Sequence, residues 1–354
     1  MAWKVGVLGM THDHVWEHIG TLSQRSDVTL SVADPNAPLV EQARSEHGVE
    51  RGYNDYADLL EREQPDAVLV FADNAGSVEI VELAASHGKP IMIEKPMASS
   101  LAGAERIRVA VQKADVPVMV NWPTNWAPAV RHAFDLVERG EIGDIYRFTF
   151  RGGHRGPKEY GCSEYFYSWL YDRERNGAGA FIDYCGYGAA MACHLLGLPS
   201  RAQATIGRLQ KDYVPVDDNA ILVLRYPRAM AVLEATWTAN GPVPDGGPAF
   251  WGTKGTLVVQ RQSARQEGQI VRIGVVKRIS DETPDGEIIE PPDLPEGARN
   301  ATEYFLNCIA NDRPFEGLVS METGLAAQEV LEAGLIAARA GSEVSLPLDV
   351  CNWG

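Results

Sequence analysis

The stretch Lys89-Pro90-Ile91-Met92-Ile93-Glu94-Lys95-Pro96 decides how this 354-residue chain is read. A short apolar run, Ile91 to Ile93, ends abruptly in a carboxylate, an ammonium and a proline. The run reads as a buried strand and Glu94-Lys95-Pro96 as its carboxyl end, where open α/β sheets bind ligands. Lys95 precedes a proline, which keeps its backbone out of the helical region. A long cation therefore departs from a fixed point beside a crevice. Partial desolvation there lowers a lysine pKa toward values suited to general acid or base work. The plainer reading is a surface Glu-Lys pair capping a strand. On these three residues alone the plainer reading is favoured; the rest of the chain shifts the balance.

Working back from this strand, the pattern repeats. Lys4 to Leu8 is a strand broken at Gly9, and Val15 to Leu22 continues as a helix. Val28 to Ala33 is a second strand, ending at Asp34-Pro35. Leu39 to Glu46 is a helix stopped at Gly48, Ala67 to Phe71 a third strand, and Val78 to Ser86 a helix closed by Gly88. Alternation on this scale specifies a parallel sheet wound by helices. A strand, a glycine turn, a helix, a second strand and an acid form the dinucleotide arrangement. Gly9 makes the turn, and helix amides face a pyrophosphate. Asp34 lies where a carboxylate accepts from ribose hydroxyls. A negative charge there favours NAD over NADP.

The fingerprint is eroded. Where G-x-G-x-x-G is expected, the chain reads Gly9-Met10-Thr11-His12-Asp13-His14. Thr11 puts a side chain where backbone approaches the phosphates, and His14 stands where glycine permits close helix packing. Either the cofactor binds with a shifted loop, using His12 or the Thr11 hydroxyl, or it binds poorly. The stretch His14-Val15-Trp16-Glu17-His18 also fits H-x-x-E-H, an inverted zinc-protease signature. Directly after the first strand of a doubly wound domain is a poor place for a protease cleft, so we expect no metal.

Composition narrows the field. Net charge is -16, with 45% hydrophobic and 23% charged residues. Such a chain is repelled by phosphate backbones and acidic membranes, and we expect neither nucleic acid nor membrane as a partner. The five cysteines, Cys162, Cys185, Cys193, Cys308 and Cys351, contain no CxxC pair. We expect free thiols in a reducing cytoplasm. The sequon at Asn300 is then a helix entry.

From Asp144 the period changes to two: Tyr146, Phe148 and Phe150 alternate with Arg147, Thr149 and Arg151. Ala220 to Leu224, Ala229 to Trp237, Thr256 to Val259 and Ile270 to Val276 are further strands, with a hairpin at Arg225 to Arg228. An antiparallel sheet with many apolar side chains on both faces implies a second subunit on its open side, so we expect a homodimer or homotetramer. Ala301 to Ala310, Thr323 to Ala340 and Phe181 to Leu196 are helices. On the last, Asp183 and Tyr187 are four apart and share a side.

These motifs, in this order, resemble the Gfo/Idh/MocA oxidoreductases. Besides Gly88 to Pro96, the resemblance rests on Val120-Asn121, Pro128 and Gly140-Glu141-Ile142-Gly143. It continues through Trp169, Asp172, Gly177 to Asp183, Asp217-Asp218, Gly252 to Leu257 and Leu346-Pro347-Leu348. It covers nearly the whole chain. It implies a Rossmann doubly wound parallel sheet in residues 1–121. Residues 122–354 form an α+β domain for substrate and oligomer contacts, with a large open, mainly antiparallel sheet. It also implies that Lys95 is catalytic and that its peptide to Pro96 is a cis candidate. Asp183 and Tyr187 supply the D-x-x-x-Y form found in members such as glucose-fructose oxidoreductase and dihydrodiol dehydrogenase. Ala190 replaces a further acid, which makes inositol-type chemistry a poorer fit.

The expected activity is NAD(H)-dependent hydride transfer to or from a secondary alcohol or carbonyl of a sugar-like or cyclic polyol. Lys95 moves the hydroxyl proton, Asp183 orients it, and Tyr187 hydrogen-bonds the reacting oxygen. To the cofactor we assign Gly9, Thr11, His12, Asp34, Asp73, Asn74, Glu94, Lys95 and Asn121. To the substrate we assign Trp122, Arg155, Tyr160 and Trp169, from the aromatic-rich segment Gly152 to Asn176 and its neighbourhood. That segment reads equally as a loop packed by its own aromatics. Two rivals keep the fold: NAD-dependent glycoside cleavage without net redox, and a non-catalytic nucleotide or sugar sensor.

Overall fold

The computed structural model describes residues 2–266 and 269–349, and Cys351 lies outside the described residues. The chain forms two compact units: residues 1–121, 157–179 and 300–328 make one, and residues 122–156, 180–299 and 329–354 the other.

The first unit is built on strands β1 (Trp3–Leu8), β2 (Val28–Ala33), β3 (Arg51–Tyr53), β4 (Ala67–Val70), β5 (Ile91–Glu94) and β6 (Val118–Asn121). They lie in the order β3-β2-β1-β4-β5-β6, all parallel. Order reverses between β1 and β4, so a crevice opens at their carboxyl ends. β4, β5 and the edge strand β6 are buried throughout. This is why they read as unbroken apolar runs rather than alternations. β3 is the strand the sequence does not announce. It has three residues, exposed Arg51 first, and no apolar run.

The second unit is a nine-stranded sheet. β7 (Ile145–Gly153), β8 (Arg201–Gly207), β9 (Asn219–Arg225), β10 (Met230–Thr236), β11 (Gly247–Gly252), β12 (Gly255–Gln266), β13 (Gln269–Ile279), β14 (Glu287–Ile289) and β15 (Val344–Ser345) pair in the order β14-β13-β12-β11-β7-β10-β9-β8-β15. All pairs are antiparallel except β7 with β10. The hairpin after Arg225 closes with Tyr226 N–H donating to Ala229 O at 2.9 Å. β9 alternates strictly, with Ala220, Leu222 and Leu224 buried and Ile221, Val223 and Arg225 exposed. One face is core and the other is open.

One element departs from expectation. Phe181 to Leu196 is not a continuous α-helix: Phe181–Cys185 is a π turn, and the α-helix is Gly186–Leu196. Asp217 holds the entry, accepting Phe181 N–H at 2.7 Å on its carboxylate and Ala180 N–H at 3.1 Å on its carbonyl. Gly188 lets the helix lie directly on β7 and β10, since a Cβ there would sit 2.7 Å from Leu233 Cδ2 and 3.0 Å from Phe150 Cβ. Asp183 and Tyr187 therefore flank a π-to-α junction, a feature frequent at functional sites. Cys162, Cys185, Cys193 and Cys308 are free thiols. No helix among the described residues is long and apolar enough to cross a membrane.

Candidate functional site

The carboxyl edge of the parallel sheet gathers the first set of groups. Gly9 turns with φ 86°, a value that favours glycine, and a Cβ there would lie 2.9 Å from Ala72 N. The turn is fixed by Asp34 at the end of β2. One of its carboxylate oxygens accepts Met10 N–H at 2.6 Å; the other accepts Asn36 N–H at 2.7 Å and Asn36 Nδ2 at 2.8 Å. Asp34 is buried, which pushes its carboxyl up against the pull of these bonds. A carboxylate has roughly four acceptor sites, so this arrangement leaves room for a ribose hydroxyl.

At the end of β5, Glu94 and Lys95 are each 5% exposed, and the Lys95–Pro96 peptide is cis. The reading of Glu94-Lys95 as a surface pair is thereby overturned. Glu94 is held from two sides: Asn121 Nδ2 donates to Oε2 at 2.7 Å, and His14 Nδ1 lies 3.1 Å from Oε1. His14 thus stands at the helix entry with its ring turned to Glu94. His12 is buried against Phe166, with ring centroids 4.3 Å apart. Burial first, then the neighbouring His14, Lys95 and His18, holds its imidazole well below the usual histidine range. His12 is neutral at pH 7.

His12, His14 and Glu94 offer ligand atoms within 4.8 Å of one another. Glu17 and His18 of the H-x-x-E-H match are not part of that group, and the His18 ring packs on Phe71 at 4.9 Å. Hydrogen bonds within the group account for its compactness, since His14 N–H also donates to His12 Nδ1 at 3.3 Å.

The remaining cofactor residues face the inserted segment 157–179. Asp73 accepts Gly76 N–H at 2.9 Å and binds Arg175, whose Nη2 and Nε lie 2.8 and 3.2 Å from Oδ2. Asn74 Nδ2 donates to Asn176 Oδ1 at 2.8 Å. Asp13 accepts from both the backbone and the hydroxyl of Ser163. Trp169, 1% exposed, donates its indole N–H to Thr11 O at 3.2 Å. Thr11 Oγ1 is buried with no partner among the described residues. A cavity of about 410 Å³ is lined by Thr11, Asn36, Glu164, Tyr165, Ser168 and Arg175.

In the second unit, Trp237 Nε1 donates to Asp183 Oδ2 at 3.0 Å. Tyr187 is 8% exposed, its ring 5.6 Å from Trp122 and 6.2 Å from Phe150. Trp122 is fully buried, and its indole N–H has no partner among the described residues. Arg155 is exposed. Of the four expected substrate residues, Trp122 and Arg155 thus lie in the second unit, and Tyr160 and Trp169 in the first. Tyr160 is 64% exposed and Trp169 serves the glycine turn. Asp13, Ser163, Arg175, Asn176 and Trp237 carried no motif, so the sequence did not single them out.

A six-stranded Rossmann sheet whose strand ends present a glycine turn, a buried acid and a buried Glu-Lys pair defines a dinucleotide-binding protein. The cradle fits an NAD-type dinucleotide: Gly9 fills the tight turn, Asp34 the ribose position, and the orphaned Thr11 hydroxyl lies between them in sequence. Residues 4–122 match the model of the oxidoreductase family with an NAD-binding Rossmann fold, and residues 130–258 that of the GFO/IDH/MocA C-terminal domain. The chain belongs to the Gfo/Idh/MocA oxidoreductase family.

Among relatives, a D-apiose dehydrogenase of Paraburkholderia graminis is 30% identical over 148 residues, 41% of this chain and 38% of that protein. A D-xylose 1-dehydrogenase [NADP(+)] of Haloarcula marismortui is 26% identical over 308 residues, 84% of this chain and 81% of that protein. The chain matches only about two-fifths of the length of the D-apiose dehydrogenases. Among solved structures, the aldose-aldose oxidoreductase of Caulobacter crescentus complexed with glycerol superposes with a TM-score of 0.79 at 22% identity, over 98% of this chain and 100% of that one. An Agrobacterium radiobacter oxidoreductase in complex with NAD+, L-tartaric acid and magnesium gives 0.78 at 20%, over 98% of both chains. At these identities the likeness is one of fold.

Proposed function

We propose that the chain is an NAD(H)-dependent oxidoreductase acting on a secondary alcohol or carbonyl of a sugar-like or cyclic polyol. The observation that carries this reading is the buried Glu94-Lys95 pair at the carboxyl end of β5, on the same sheet edge as Gly9 and Asp34. The bound nicotinamide supplies the hydride acceptor or donor. In oxidation, Lys95 Nζ takes the hydroxyl proton as the carbinol hydrogen leaves with its electron pair; reduction reverses both transfers. The resemblance assigns Asp183, anchored by Trp237, to orienting the proton carrier and Tyr187 to donating to the reacting oxygen. Glu94, steered by Asn121 and His14, serves the nicotinamide ribose. Names of relatives support a sugar substrate: apiose, xylose and levoglucosan dehydrogenases are among them.

The preference for NAD follows from Asp34, whose charge opposes a 2'-phosphate. We also propose a homodimer or homotetramer formed through the open sheet face, where Ile221, Val223 and Met230 are 47%, 38% and 50% exposed. Free thiols suit a cytoplasmic setting. Titration with NADH and NADPH, read by energy transfer from tryptophan, tests the cofactor assignment. NADH should bind more tightly, and Asp34→Ala should narrow the gap. Absence of binding by either nucleotide at millimolar concentration removes the basis of the reading.

A further inference from the structure

We infer that His154 and Tyr184 together bind a second hydroxyl of the substrate, on the same ring as the reacting one, and so select an uncharged polyhydroxylated ring over a lone secondary alcohol. The inference rests on the oxidoreductase reading above, which assigns the reacting oxygen to Tyr187. It adds two residues that no motif assigns.

The chain reads Arg151-Gly152-Gly153-His154 at the end of β7, and what lies against the two glycines explains both. A Cβ on Gly152 would come 2.5 Å from Tyr184 Cδ1, so the tyrosine of the π turn rests directly on the strand. Gly153 has φ 153°, and a Cβ there would lie 2.1 Å from Thr236 O. β7 thus runs hard against the end of β10, where Gly153 pairs with Thr236. His154 is then held at both backbone groups. Its N–H donates to Thr236 O at 3.0 Å, and its carbonyl accepts Ala239 N–H at 3.1 Å. Between those two anchors, Trp237 donates its indole N–H to Asp183 Oδ2 at 3.0 Å. The strand end that fixes His154 therefore fixes Asp183 as well.

The imidazole is set as firmly as its backbone. Gly156 N–H donates to His154 Nδ1 at 2.9 Å, so Nδ1 carries a lone pair and the ring proton sits on Nε2. Nε2–H is a donor, which a hydroxyl oxygen can meet. The ring stands perpendicular to Tyr184, with centroids 5.4 Å apart at 87°. Tyr184 in turn lies 6.0 Å from Tyr187. Tyr187 is packed by Trp122 and Phe150 and is 8% exposed, whereas His154 and Tyr184 keep part of their surface open. Three polar rings thus follow one another at spacings that suit substituents of one small ring. Packing alone would be met by phenylalanine at position 184; the phenol and the Nε2–H add hydrogen-bonding ends to the same surface. A neutral imidazole and a phenol suit a hydroxyl better than a phosphate or a carboxylate, which call for cations.

The test is steady-state oxidation with NAD, read as NADH absorbance. The panel is aldopentoses, aldohexoses and inositols, with the monodeoxy analogues of those turned over. In wild type, removal of one particular hydroxyl should lower kcat/KM about 10–100-fold, because the donors that met it are left unpaired. His154→Ala and Tyr184→Phe should each lower kcat/KM for the parent compound and leave that for the deoxy analogue within about twofold of wild type, so that discrimination collapses. His154→Gln keeps an N–H donor and should recover part of the loss. NADH affinity should be unchanged in every variant, and melting temperature checks the fold. Equal losses for parent and deoxy analogue mean a merely structural role and overturn the inference. A wild type that oxidises both alike overturns it too, and either result leaves the oxidoreductase reading standing. A wild type that binds NADH and oxidises nothing on the panel sinks the substrate reading and this inference together.

Discussion

Lys95 carries the proposed chemistry, and its environment says how a substitution should read out. Lys95→Met keeps the length of the side chain and removes the proton carrier. Turnover should fall by about 10²–10⁴, the usual worth of a positioned acid or base. Full turnover in Lys95→Met rules out its catalytic role. His12 offers a separate test through pH. Its imidazole is depressed by burial, so the unfolded chain takes up a proton, below pH 6.5, that the folded chain resists. Unfolded chain then binds more protons, and stability is lost as pH falls through that value. His18 and His194, also lowered by burial, act in the same direction. His12→Asn keeps an acceptor for the His14 amide and should flatten the acid limb between about pH 7 and 5, by up to about 1.4 kcal/mol per pH unit. Urea unfolding across that range measures it; parallel loss in both proteins refutes the assignment.

At the scale of elements, two helical glycines should behave in opposite ways. In the Gly186–Leu196 helix, Gly188 lies against Leu233 and Phe150, and the extra methyl of Gly188→Ala overpacks the contact, costing about 1–3 kcal/mol. In the Val15–Ser23 helix, a Cβ at Gly20 would meet only His47 at 3.5 Å, an ordinary contact, so Gly20→Ala should stabilise by about 0.5–1 kcal/mol. Equal effects in chemical denaturation would contradict the packing described. The contrast also shows why periodicity missed the π turn. Gly186 to Cys193 are all buried, so apolar spacing marks no one face here and does not say how many residues fill the first turn. Asp217 decides that, and it reaches Phe181 N from 36 positions away.

At the scale of the molecule, the open face of the nine-stranded sheet sets the expected assembly. Ile221→Asp with Val223→Asp should shift the protein from oligomer to monomer in sedimentation velocity, since two desolvated carboxylates oppose burial of the face. A monomeric wild type removes the proposal. Much of this architecture was legible beforehand. Unbroken apolar strands required a sheet covered on both faces, alternation from Tyr146 to Arg151 required a sheet with two unlike faces, and Lys95 before a proline marked a strand's carboxyl end; the open face at Ile221 and Val223, in a run that is apolar throughout, shows only in the structure. These signals are local, because burial imposes a period on neighbouring residues and glycine or proline restricts its own backbone. The contacts of Ser163 with Asp13, Arg175 with Asp73 and Trp169 with Thr11 left no such trace. Each joins residues more than a hundred positions apart, where no period links them and a serine, arginine or tryptophan is compatible with many surroundings. The sequence by itself determined the two kinds of sheet, most of their long strands and a lysine at a strand's carboxyl end. Only the tertiary structure decided that the aromatic insert closes on the glycine turn, because that pairing depends on which surfaces meet when the chain packs.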